Sequence, residues 1–255
     1  TSDIKSNNDL INILRSGKQE PVMVTFINVR KLNQIAGKVA PFIEADSAQL
    51  ADLINDPGTH KKYGFKSERF ITMFIPNSYE FFWNTSAEEF VDRMAEEYKK
   101  FWNDERKQKA ANLGMSQSDV AILASIVQEE QNKFPDERPM IAGVYINRLK
   151  RGMLLQADPT LKFAWDDFTI KRVLNKHKEI NSPYNTYKNK GLPPGPICLP
   201  EISSIDAVLN YEKHDYIFMC AKDDMSGYHN FAKTNRQHEI YAQRYRRKLN
   251  ELGIR

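Results

Sequence analysis

Apolar positions along the chain change period several times, and each change marks an element. Val22, Val24 and Phe26 fall on one face of a strand over 22–27. Leu32, Ile35, Ala36 and Val39 then recur at helical spacing within 29–43, and Ser47 is placed to cap a short helix ending at Pro57-Gly58. Residues 70–83 are aromatic and β-branched, broken at Pro76, and read as a second strand. The resulting order is strand, helix, helix, strand. Ahead of it, Asn8 to Arg15 reads as the end of a helix closed by Gly17. Thr85 and Glu88 have the spacing of a capping box that opens one long helix running to about Ala111, with Phe90, Met94, Tyr98 and Phe101 near one face.

The next helix, over 116–133, carries an acid in its apolar stripe. Ser116 and Asp119 cap it, and Val120, Ile122, Leu123, Ile126 and Val127 share one arc at about 100° per residue. Glu130 projects roughly 20° from Leu123, inside that arc; Glu129 lies at its edge and Gln128 points the opposite way. A carboxyl desolvated in this way has a raised pKa and stays protonated near neutrality, as a general acid must. The competing structural account is a core carboxylate satisfied by an arginine.

Beyond it, Pro139 suits the first turn of a helix bearing Met140, Val144 and Tyr145, which closes at Gly152. From Ser182 to Pro200 no period survives; a loop that long inside a compact domain is usually functional or disordered, and Tyr184, Tyr187 and the prolines favour an ordered, functional one. Ser203 and Asp206 have capping spacing for a further helix, residues 216–221 read as a short strand, and a polar helix fills 235–252.

Composition narrows the chemistry. With 255 residues, 41% apolar and 27% charged, the chain is long enough for one large or two smaller domains and is globular in character. The net charge of +4 is mild, and no nucleic-acid motif accompanies it. Cys198 and Cys220 are too few for a disulfide framework; one bridge and two free thiols remain equally open. The five histidines include no His-x-x-x-His pair, so no metal site is expected, and no phosphate-binding or serine-nucleophile motif is present. Carboxylates are left, with Glu130 foremost. Asp158, just before Pro159, has a structural alternative as the cap of the turn that follows it.

Four stretches, ASIVQEE, INRLKRGMLLQADPT, YNTYKNKGLPPGPI and YHNF, together resemble the YceG-like (MltG) family, the endolytic lytic transglycosylases of bacterial peptidoglycan. The resemblance spans about Leu10 to Leu252. It implies an α+β fold: a LysM-like strand-helix-helix-strand subdomain over residues 1–84, then a mixed, mainly helical YceG-like catalytic domain over 85–255. It places the catalytic glutamate at Glu130 and assigns Gln156, Asp158, Thr160, Tyr184, Asn185 and His229 to substrate binding. The sequence departs from the family pattern at Gln128, where Glu is common, and at Gln131, where Thr is common. Gln128 is expected to matter little to the chemistry, and Gln131 to alter polarity near the site.

The reaction implied is cleavage of the β-1,4 bond between N-acetylmuramic acid and N-acetylglucosamine, leaving 1,6-anhydro ends and needing no cofactor. Tyr184 and Tyr187 could stack on sugars or simply pack the loop. The alternative from another class is a non-catalytic peptidoglycan-binding or scaffold module of the cell-wall synthesis machinery. Partners implied are glycan strands and cell-wall synthases, with no nucleic acid. The family's single-pass N-terminal anchor is missing from a chain that opens at Thr1 without Met and is expected to be an excised piece. By resemblance the catalytic domain faces the periplasm or cell exterior from the cytoplasmic membrane.

Overall fold

A computed structural model of the chain describes residues 6–17 and 19–253. The outer ends of the two expected domains, Thr1 and Arg255, lie outside the described residues. In chain order the elements are α1 (Asn7–Ser16), β1 (Val22–Phe26), α2 (Leu32–Val39), α3 (Ser47–Asn55), α4 (Pro57–Lys62), β2 (Asn77–Phe81), α5 (Ala87–Phe101), α6 (Asp104–Asn112) and α7 (Gln117–Glu130). There follow α8 (Arg138–Lys150), α9 (Asp158–Ala164), α10 (Asn175–Lys178), α11 (Ile202–Leu209), β3 (Phe218–Ala221), β4 (His229–Ala232) and α12 (Asn235–Glu251). Two small antiparallel sheets, β1 with β2 and β3 with β4, sit in a mainly helical α+β structure. Among the described residues no helix is long and apolar enough to cross a membrane.

β1 and β2 pair Val24 with Tyr79, so Val24, Phe26, Tyr79 and Phe81 share the inner face of this antiparallel pair. These side chains join Ile35, Leu50, Phe70, Phe74 and Phe90 in a first core. Because α5 contributes Phe90, Val91, Met94 and Ala95 to that core, packing does not divide at residue 84. A second core gathers Trp102, Leu123, Ile126, Val127, Ile141 and Tyr145 around α7. Each fully buried Leu or Ile there contributes about 1.5–3 kcal/mol of transfer free energy.

Several boundaries differ from the sequence expectation. Residues 67–73 form a 3-10 turn, and only 77–81 are a strand, because Pro76 fixes the bend between them. The box that opens α5 is Ser86 with Glu89, one residue later than expected, while the Thr85 hydroxyl donates to the Phe82 carbonyl at 2.6 Å. The expected long helix breaks at buried Trp102, and Asn103 recaps it as α6. Asp46, not Ser47, caps α3. Ser203 and Asp206 do not cap α11: Ser203 accepts from Arg138 at 2.9 Å and Asp206 pairs with Arg106 at 3.1 Å. The strand expected over 216–221 is β3, which starts at Phe218 rather than Tyr216. Cys198 and Cys220 are both free thiols.

The aperiodic segment 182–200 is an ordered brace lying along α7. The Ile197 amide donates to Ser125 Oγ at 3.0 Å and the Leu199 amide to the Val29 carbonyl at 2.7 Å, joining the two cores. Gly195 is required there, because a Cβ would collide with the Glu68 carbonyl.

Candidate active site

α7 is wrapped on nearly all sides, with Ser118 and Val120 to Gln128 buried, so its last turn is held from three directions. Gln128 does face away from the apolar arc, but into protein: its Oε1 accepts from the Glu201 amide at 2.7 Å and from Ser204 Oγ at 3.0 Å, fixing the start of α11. Glu129 pairs at 3.1 Å with Arg30, which lies between β1 and α2 in the unit that runs from β1 to β2, the first unit of the chain. Glu130 turns into a cavity of about 410 Å³, where Asp158, Gln156, His229 and Tyr187 also line the wall.

Burial pushes the Glu130 carboxyl up to about 7, the nearby charge of Asp158 adds to the rise, and a hydrogen bond from Tyr145 opposes it. Its place in the final turn of α7, at the negative end of the helix, also disfavours the carboxylate. Tyr145, from α8 and 2% exposed, donates its hydroxyl to Glu130 Oε1 at 2.5 Å. Burial and the Glu130 charge hold that phenol well above its ordinary value, so it remains the donor.

One turn further along α8, buried Arg148 donates to the carbonyls of Ile217 and Leu155, both at 2.6 Å. It ties α8 to β3 and to the strained segment before α9, where Gln156 has a left-handed φ of 53°. Asp158 opens α9, yet its side chain caps nothing: Oδ1 accepts from the Tyr187 hydroxyl at 2.5 Å. β4 brings His229 to the same cavity, and its amide and Nδ1 both meet the buried Glu137 carboxylate at 2.7 Å. Burial alone would raise Glu137, but hydrogen bonds from His229 and Gln131 hold it below the usual carboxylate range. The Gln131 Nε2 donates to Glu137 at 2.6 Å and to the Gly227 carbonyl at 3.0 Å, so Gln131 acts through Glu137 rather than in the cavity.

Four of the sequence-assigned positions, Glu130, Gln156, Asp158 and His229, therefore meet at one cavity. Thr160, Tyr184 and Asn185 do not line it. Thr160 is fully buried and bonds Ala157 and Thr186; Asn185 is fully buried and donates to the carbonyls of Lys178 and Ile180. Tyr184 packs on Phe163 at 4.7 Å between ring centres. These three shape the walls by holding the turn and loop that carry Asp158 and Tyr187. Tyr145, Arg148 and Glu137 escaped sequence reasoning. Among the described residues no group of His, Cys, Asp and Glu could hold a metal ion.

The sequence profile of the YceG-like family matches residues 2–244. The chain belongs to the YceG-like family. It is 38% identical over 168 residues to the endolytic murein transglycosylase of Bacillus subtilis, covering 66% of this chain and 45% of that protein. It is 33% identical over 135 residues to the endolytic murein transglycosylase of Streptococcus pneumoniae, covering 51% of this chain and 24% of that protein. The matched stretch thus spans less than half the length of these curated relatives. A crystal structure of a YceG-like protein from Listeria monocytogenes superposes with a TM-score of 0.70 at 27% identity, over 92% of this chain and 81% of that one.

Proposed function

We propose that this YceG-like chain is the catalytic part of an endolytic murein transglycosylase that cuts the MurNAc-GlcNAc β-1,4 bond within glycan strands. The observation that carries this is a single carboxyl, Glu130, raised to about 7 in a cavity lined by polar groups. Protonated at neutral pH, Glu130 donates to the glycosidic oxygen as the bond to C1 breaks. The resulting carboxylate takes the proton from the C6 hydroxyl of the same muramic residue, whose oxygen closes on C1 as the 1,6-anhydro ring. The proton count balances on one group, so no second carboxylate activates water, in contrast to hydrolytic glycosidases.

Tyr145 fixes which oxygen of Glu130 works. Its donation to Oε1 leaves Oε2 to hold the transferable proton and stabilises the carboxylate formed midway. Asp158 and His229, which line the cavity with Glu130, serve for substrate positioning and for charge developing at the sugar ring. Glu137 accepts from His229 Nδ1, which directs the other ring nitrogen away from Glu137 as the free one.

The finer assignments belong to the same proposal. Residues 22–81 act as a LysM-like unit that grips the strand; the support is their strand, helices, strand order and an ion pair from Arg30 to the residue beside Glu130. The same proposal has the working protein act on the outer face of the cytoplasmic membrane, beside the synthases that make its substrate; fractionation and cross-linking test it. The reaction itself is tested by digesting peptidoglycan in heavy-oxygen water. Anhydro ends without label are expected; label at the new ends would make water the nucleophile and Asp158 the candidate base.

A further inference from the structure

α9 carries more than Asp158. Asp158, Lys162 and Trp165 follow at i, i+4 and i+7, within an arc of about 60° on one helix face. Asp158 lines the cavity, and the Lys162 charge is close enough to Glu130 to favour its ionised form. Trp165 continues that stripe about 10 Å from Asp158 along the axis. The indole is 46% exposed, yet its orientation is fixed: Nε1 donates to the His177 carbonyl at 3.0 Å, and the His177 ring meets it edge-on at 6.1 Å. With its one polar atom satisfied inside the protein, the exposed remainder is a flat apolar surface.

The chain directly after Trp165 is tied to the first unit. Asp166, at a left-handed φ of 51°, pairs with Lys31 at 2.8 Å. The guanidinium of Arg30 lies 4.1 Å from the centre of the Phe168 ring and also holds Glu129. A tryptophan pinned at one edge, on the same helical stripe as Asp158 and followed directly by residues held by Lys31 and Arg30, has the form of a stacking platform. The surfaces that stack on such a ring are the apolar C–H faces of pyranose sugars.

We propose that Trp165 is the floor of a sugar-binding subsite that receives a pyranose ring of the glycan strand beyond the bond being cut. This rests on the glycan reading of the Glu130 cavity, and binding and cleavage are measured separately so that the two can fail independently.

The test uses Glu130→Gln protein, which cannot cleave, titrated with peptide-free glycan strands purified from amidase-treated peptidoglycan. Tryptophan fluorescence should change on binding and should lose that change in the Trp165→Phe version, while Trp83→Phe, at the other exposed tryptophan, keeps it. Trp165→Ala should weaken affinity about tenfold, or about 1.4 kcal/mol, with unfolding temperature preserved, and Trp165→Phe should stay within about threefold. The loss should persist at high salt, since stacking is not screened as the Arg30 and Lys31 charges are. Unchanged affinity in Trp165→Ala, or no glycan binding by the Glu130→Gln protein, overturns the subsite. Trp165-dependent binding by a protein that forms no anhydro ends would overturn the reaction and leave the subsite standing.

Discussion

Tyr145→Phe removes one hydroxyl and almost nothing else. The ring keeps its place in the second core, while Glu130 Oε1 loses a donor at 2.5 Å. That hydrogen bond lowers the Glu130 pKa, which burial has driven to about 7. Hydrogen bonds to charged groups are worth about 1.5–3 kcal/mol, and 1.36 kcal/mol corresponds to one pH unit. The cavity can admit a water in place of the hydroxyl, so the lower end applies, and the Glu130 pKa should rise by about one pH unit. Glu130 must start protonated, so kcat/KM falls as pH rises through that pKa. The alkaline limb of kcat/KM should therefore move up by about one pH unit in the variant. The plateau should drop about tenfold, because the carboxylate formed midway loses its stabilising donor. The assay is release of anhydro ends from purified peptidoglycan across pH 5 to about 10, with unfolding followed on the same samples. An alkaline limb that stays or moves down, or an unchanged plateau, would refute the role given to Tyr145.

Glu130→Gln should be folded and inactive, and Glu129→Gln should retain substantial activity; equal losses in paired turnover and melting measurements would sink the assignment. Glu130→Gln should also be the more stable protein at alkaline pH. A folded pKa raised from 4.5 to about 7 contributes stability that is complete below 4.5 and lost as pH rises through 7, at most about 3 kcal/mol. Denaturant unfolding at pH 4.5 and 8.5 should show the gap between the two proteins opening only at the higher value. Thr160→Ala should cost about 1–3 kcal/mol of stability, because its hydroxyl bonds Ala157 and Thr186 in a fully buried turn, and a KM change without a melting change would contradict that. Glu137→Gln should lower activity and stability together, and the stability difference should vanish as pH falls, since a depressed carboxylate contributes only above its unfolded pKa; urea titrations at acidic and neutral pH would check this.

What the sequence disclosed and what it hid follow from the same physics. Glu130 was legible because a carboxylate inside a period of 3.6 breaks a simple rule, and the rule needs only local sequence. Tyr145 was not, since an aromatic among the apolar residues of α8 reads as core, which it also is. Glu137 sits between Pro135 and Pro139, where a charge reads as solvated; only β4, folded back from far along the chain, supplies the buried His229 contact. The capping spacing of Ser203 and Asp206 misled for a related reason: both side chains are claimed by distant arginines, and tertiary pairing outbids a local cap. The segment 182–200 offered no period, because its order comes from bonds to α7 rather than from itself.

The last turn of α7 shows why one helix can serve as the site's reference frame. Helix ends ordinarily fray. Here three consecutive side chains, about 100° apart, each enter a different part of the molecule. Gln128 holds the start of α11, Glu129 holds Arg30 of the first unit, and Glu130 enters the cavity. Rotating the turn to move Glu130 would break both neighbouring contacts, one of them buried. Arg30 in turn covers Phe168, close to Trp165 at the end of the α9 stripe. The position of the acid and that of the segment following α9 are thereby set by the same few contacts. In the proposed reading, a strand gripped by the first unit and a bond presented to Glu130 share one frame, so the energy of holding the chain is available for aligning the scissile bond.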